Sequence, residues 1–125
     1  MGEVVYDRRE QLEKVEAVLL PGEVVHAVYD AVGAGTGFLG LTDLRILFQD
    51  NSFVGRRIAL TSVPYGRINS VSYVSDKSIF GKMVATSTIS IAVGSEHHEV
   101  EFRGHEKARH AHDVILGHIV GAPYR

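Results

Sequence analysis

The apolar residues of this chain recur at two different periods, and the points where the period changes divide it into elements. Leu12, Val15 and Leu19 fall at helical spacing with Glu13, Lys14 and Glu16 between them, which predicts a short amphipathic helix over residues 8–19. Asp7 followed by Glu10 has the form of a capping box, with Asp7 as N-cap, and Pro21-Gly22 is expected to end the helix. From Glu23 the pattern becomes extended: Val24, Val25, Val28 and Tyr29 are β-branched or aromatic and read as a first strand. The stretch 37–51 then reads as the hairpin around which the rest is built. Phe38 and Leu41 supply one strand, Thr42-Asp43 the turn, and Leu44, Ile46 and Phe48 one buried face of the next strand at period two. On that alternation Arg45 is expected in solvent, where exchange for Gln costs little. Phe48→Ala is expected to cost about 3 to 5 kcal/mol.

Further on, residues 58–63 form another apolar run, and Pro64-Tyr65-Gly66 reads as a bend. Residues 68–73 alternate except at Asn69-Ser70, where a bulge or a curve is expected. Residues 86–93 and 98–102 alternate on either side of a tight Gly94-Ser95 turn, and residues 106–120 close the chain with a helix whose apolar face is Ala108, Ala111, Val114, Ile115, His118 and Ile119. The order is therefore one helix, seven short strands and one helix, as in an antiparallel meander. Seven twisted strands must fold over to cover their apolar faces.

A family resemblance rests on three of these stretches. Pro-Gly-Glu precedes the first strand at residues 21–23, Gly-Leu-Thr-Asp-Leu-Arg-Ile-Leu-Phe spans residues 40–48, and Val-Pro-Tyr-Gly-Arg-Ile-Asn-Ser-Val spans residues 63–71. Together they resemble the bacterial pleckstrin-homology-like domains of the YokE-like or GRAM-related kind, over residues 20–119. The resemblance implies a mainly β fold with α: a PH-like, seven-stranded antiparallel bent barrel or sandwich capped by a C-terminal helix. Here a short N-terminal helix is added to it. The domain division that follows is an N-terminal helical extension at 1–19 and a PH-like domain at 20–121. PH-like folds serve widely as binding modules, but a fold does not settle a function.

Composition narrows the chemistry. A chain of 125 residues is one compact domain. It has no cysteine, which excludes disulfides, thiolate metal sites and cysteine nucleophiles. The net charge of −2 argues against nucleic acid as a partner. No apolar run is long enough to span a bilayer and no leader pattern is present, so a cytoplasmic location is expected. The seven histidines, His26, His97, His98, His105, His110, His112 and His118, include no helical pair at four-residue spacing and no HExxH motif, so no metal is expected. His118, on the apolar helix face, reads as a satisfied core or interface residue. No nucleophile elbow or acid/base pair marks a catalytic site, and no cofactor is expected.

Three stretches carry candidate contacts. Ile79 and Phe80 stand between Lys77 and Lys82, an apolar pair flanked by cations. The stripe Leu12, Val15 and Leu19 is surplus to a seven-stranded unit with one capping helix. Arg56 and Arg57 are candidate anion contacts, whereas the loop at 33–37 lacks the basic residues with which phosphoinositide-binding PH domains hold head groups. These features favour a non-catalytic binding or scaffolding module that forms a homo-oligomer or binds a protein partner. A peripheral module for anionic membranes is the alternative, and a small enzyme the third reading.

Overall fold

The computed structural model describes residues 3–32, 36–50, 58–76, 86–104 and 106–121. The chain divides into two compact units, Met1–Pro64 and Tyr65–Arg125.

The first unit is a five-stranded sheet with a helix on one face. Its strands are β1 (Val5–Tyr6), β2 (Val25–Asp30), β3 (Thr36–Thr42), β4 (Arg45–Asp50) and β5 (Ala59–Pro64), and the helix is α1 (Arg9–Glu16). The strands lie in chain order. β2 to β5 form an antiparallel meander. β1 is an eighth strand that the alternation does not predict, since two residues are too few to show a period. It pairs in parallel with β2, Val5 opposite Ala27 and Tyr6 opposite Val28.

The continuous run Ile46, Leu47 and Phe48 is buried on both sides of the sheet. Leu47 joins Leu12, Val15, Val25, Val28 and Phe38 in a cluster beneath α1, with Val4 and Leu19 packed against its edge. A register shift between Val25 and Ala27 places Val25 on this helix side together with Val28. Ala27, Tyr29, Leu39, Leu41, Ile46 and Phe48 are also buried. α1 approaches β3 closely because position 40 has no side chain. A Cβ on Gly40 would stand 3.0 Å from Cγ2 of Val15.

Several local expectations are corrected here. Leu44 is 47% exposed and belongs to the turn, not to the buried row of β4. Asp7 is not the N-cap of α1. Arg8 holds that position without a side-chain cap, and the Asp7 carboxylate accepts the backbone N–H of Asp30 at 2.9 Å. α1 also stops at Glu16, short of residue 19. Its continuation tightens, Val18 N–H bonding to Val15 O and Leu19 N–H to Glu16 O, and the Val18 carbonyl is taken by Arg45.

The second unit holds a 3-10 turn (Tyr65–Arg67), strands β6 (Ser70–Asp76), β7 (Thr86–Val93) and β8 (Glu96–Arg103), and helix α2 (Glu106–Val120). β6, β7 and β8 form an antiparallel sheet in that order, and α2 packs on all three strands. Of the bulge or curve expected at Asn69-Ser70, the bulge is not found: β6 pairs with β7 in unbroken register from Ser70 opposite Ala92 onward. Asn69 instead fastens the neighbouring turn. Its N–H bonds to Ala92 O at 2.7 Å, and its side-chain oxygen accepts Gly94 N–H at 2.6 Å. Gly94 has φ +62, a conformation that glycine adopts freely. Ala108, Ala111, Val114 and Ile115 of α2 are fully buried, as their spacing predicts.

Candidate functional site

The most organised polar site begins with the Thr42-Asp43 turn. Thr42 ends β3, and its Oγ1 accepts the N–H groups of Leu44 and Arg45 at 3.0 and 3.1 Å, the local bonding that makes Thr a turn residue. This turn aims Arg45 back along the sheet to Glu23, which stands just before β2. Arg45 Nε and Nη2 reach the two Glu23 oxygens at 2.8 and 2.9 Å, a bidentate ion pair. Thr42 Oγ1 donates to the same carboxylate at 2.6 Å, and Leu20 N–H does so at 2.8 Å. Arg45 also donates to Val18 O at 2.7 Å and to Ser62 Oγ at 2.8 Å.

The Glu23 side chain is fully buried and that of Arg45 is 15% exposed. The hydrogen bonds from Arg45 hold the Glu23 carboxyl down from its ordinary value of 4.5 to about 2, against the opposing effect of burial. The Glu23 carboxylate is therefore ionised at neutral pH. The ion pair ties the α1–β2 connection, the β3–β4 turn and β5 into one rigid corner.

Four large aliphatic side chains stand in solvent on the backbone of this corner: Val18, Leu20, Val24 and Leu44, between 40% and 54% exposed. Each is held at the main chain. The Val18 carbonyl binds Arg45 and the Leu20 N–H binds Glu23. Val24 N–H donates to Asp43 Oδ1 at 2.9 Å, and Leu44 N–H binds Thr42. All four side chains are aliphatic, and their supporting main-chain groups are held by hydrogen bonds within the corner.

The residues singled out in the sequence fall elsewhere. Leu12 and Val15 lie in the core of the first unit and Leu19 is half-buried at its edge, so the α1 stripe is corrected from a contact surface to internal packing. Lys77, Ile79, Phe80, Lys82, Arg56 and Arg57 lie outside the described residues. His118 is half-buried, stacks on Tyr65 with ring centroids 4.2 Å apart, and donates from Nδ1 to Val114 O at 2.9 Å. His112 meets Tyr73 edge-on and Asp113 at 3.1 Å. Among the described residues, no group of three or more His, Asp or Glu is placed to hold a metal ion. An open depression of about 320 Å³ is lined by Arg103, Gly104, Glu106 and Lys107 at the start of α2. One first-turn donor there, Ala108 N–H, is already used by Ser87 Oγ at 3.3 Å.

The Glu23–Arg45 pair was missed because Arg45 stands at an alternating position and reads as solvent-facing. The sign was available. Ile46, Leu47 and Phe48 are all apolar, so both faces of β4 are covered, and Arg45 shares the face of Leu47.

The model of the bacterial PH (pleckstrin-homology) domain family matches residues 21–116. The chain belongs to that family. Two bacterial PH structures share its fold. The pleckstrin homology domain from Shewanella amazonensis SB2B has a TM-score of 0.66 at 16% identity, over 92% of this chain and 100% of that one. A DUF1696 family protein with a pleckstrin-homology domain from Shewanella loihica PV-4 has a TM-score of 0.58 at 14% identity, over 90% and 93% of the two chains. No curated protein matches the chain. Among its described residues the bacterial PH chain is thus mainly β with two helices, in two sheets with a C-terminal helix, as expected from its sequence. No helix among the described residues is long and apolar enough to cross a membrane.

Proposed function

We propose that this bacterial PH domain is a non-catalytic binding and scaffolding module that acts by self-association in the cytoplasm. In this reading residues 20–121 are the PH-like domain and residues 1–19 an addition to it. One observation carries the proposal: Val18, Leu20, Val24 and Leu44 are each exposed, on main chain tied into the corner of the Glu23–Arg45 pair. A rigid apolar patch on a PH-like scaffold supports binding without chemistry, since its donors and acceptors are spent on one another. Most soluble oligomers are symmetric assemblies of one chain, so a second copy is the occupant this reading assigns.

Light scattering across a concentration series tests it. The expected result is a mass that rises with concentration. A chain that remains monomeric to about 1 mM, where the free energy of association is weaker than about 4 kcal/mol, overturns the reading. Phosphoinositide vesicles at physiological salt should show no saturable binding, because the loop at 33–37 lacks basic residues. Submicromolar binding abolished by Arg56→Glu with Arg57→Glu would favour a membrane module in its place.

A further inference from the structure

We propose that the oxygen atoms gathered around Gln11, where α1 meets the end of β2, form a binding site for a hard divalent cation of the calcium type. Gln11 is 8% exposed. Its Nε2 is engaged twice, donating to Asp30 Oδ1 at 2.8 Å and to the Gly37 carbonyl at 3.2 Å. Its Oε1 is buried and, among the described residues, meets no donor. Turning the amide over gives no remedy, because the oxygen would then face those two acceptors. A buried oxygen in this position is costly until a donor or a cation reaches it.

The surroundings select a cation. The Asp30 carboxylate stands beside the amide, and a second carboxylate is drawn to the same place, since Asp7 Oδ2 accepts the Asp30 N–H at 2.9 Å. One planar amide carries both Gln11 atoms, so Oε1 stays within a few ångströms of Asp30. Each carboxylate has another oxygen besides the one bonded here. Lys14, one turn further along α1, reaches Gln49 instead. The donor set is two carboxylates and an amide oxygen, with no nitrogen or sulfur. Such sets suit calcium, whose coordination is flexible and takes waters in the remaining positions, better than magnesium, which demands near-ideal octahedral geometry. With only two charges, and Asp7 exposed, the dissociation constant should lie at about 10⁻⁴ to 10⁻³ M. The ion joins Asp7, just after β1, and Gln11 of α1 to Asp30 at the end of β2. It thereby links the docking of the N-terminal segment to calcium. All three ligands belong to one chain, so the inference does not depend on self-association.

Calcium chloride titrated into the chain at constant ionic strength tests this. At tenfold excess over the dissociation constant the melting temperature should rise by about 5 °C. The side-chain amide resonances of Gln11 and the backbone amide of Asp30 should shift with the same midpoint. Asp30→Asn keeps an acceptor for Gln11 Nε2 but removes one charge, and it should weaken calcium binding about tenfold or more. Unmoved Gln11 resonances up to about 10 mM calcium, well above the expected range, overturn the proposal. So does a response that Asp30→Asn leaves undiminished, since the ion then sits elsewhere. An equal response to magnesium also overturns it, as the mark of charge screening.

A second variant keeps the test independent of Asp30. Gln11→Glu places a third carboxylate where Oε1 stands and gives up the donor to Asp30. Without calcium it should melt below the parent, and calcium should then raise its melting temperature by more than it raises the parent's. A rise equal to or smaller than the parent's overturns the assignment of Gln11 as a ligand.

Discussion

Both units set a helix on a mainly antiparallel sheet, but they hold it by different means. α2 has fifteen residues. It lays a continuous row of Ala108, Ala111, Val114 and Ile115 on three strands, with ring contacts such as His118 on Tyr65 at the margin. α1 has eight residues, too few to be stable in isolation. It buries Leu12 and Val15 over Gly40 and is fastened at both ends by polar groups from the sheet. At one end Gln11 Nε2 donates to Asp30 at 2.8 Å and to Gly37 O at 3.2 Å, and from the last turn Lys14 reaches Gln49 at 3.2 Å. At the other, the Glu23–Arg45 pair seizes the Val18 carbonyl just past the helix. A long helix can rely on its apolar face alone, whereas a short one needs clamps.

That difference is sharpest under loss of a charge. Arg45→Met should destabilise the protein by about 3 to 5 kcal/mol, because it leaves Glu23 buried without its cation. A denaturant titration measures this, with Phe48→Ala, of similar expected cost, as the calibrating core change. In the second unit, Asp113→Asn loosens only an exposed contact with His112 and should change stability by less than about 1 kcal/mol. Equal losses at Arg45 and Asp113 would erase the comparison.

Acid should act on the same pair. The folded-state value of Glu23 is depressed from 4.5 to about 2, so its contribution is full above the unfolded value and is lost as pH falls through that interval. At 1.36 kcal/mol per unit the loss approaches roughly 3 kcal/mol. Relative to the parent, a Glu23→Gln, Arg45→Met double variant should show a shallower loss of stability between pH 4.5 and 2. Parallel curves would mean that the pair contributes nothing.

Smaller effects sharpen the packing side. Gly40→Ala should cost about 1 to 2 kcal/mol, since the new methyl meets Val15 at 3.0 Å and pushes on the helix. Asn69→Ala, which strips the acceptor from Gly94 N–H, should cost about 1 kcal/mol. Thermal melts of the two variants check this ordering.

How much of this was legible in the sequence depends on the range of the interactions. β7, β8 and α2 are set by unbroken periods and a glycine turn, so their pattern predicts them nearly to the residue. The end of α1 depends on Arg45, which stands 27 positions beyond Val18, and no local pattern reports such a partner. The aliphatic corner was hidden for a related reason. Val18, Leu20, Val24 and Leu44 read separately as helix, connection, strand and hairpin, and their main-chain groups are linked only through bonds to Glu23, Arg45, Asp43 and the Thr42 turn.

The two-residue strand β1 has a consequence for trimming the chain. It occupies the outer hydrogen-bonding edge of β2, where Val5 and Tyr6 pair with Ala27 and Val28. Cutting away residues 1–19 to obtain a minimal domain would strip this strand and uncover Val25, Val28, Phe38 and Leu47 at once. The product would present a bare strand template beside an oily face, the combination that seeds cross-β deposition. Such a truncated protein should precipitate or form insoluble aggregates rather than yield a smaller, well-behaved species, and its insolubility would say nothing about the native assembly.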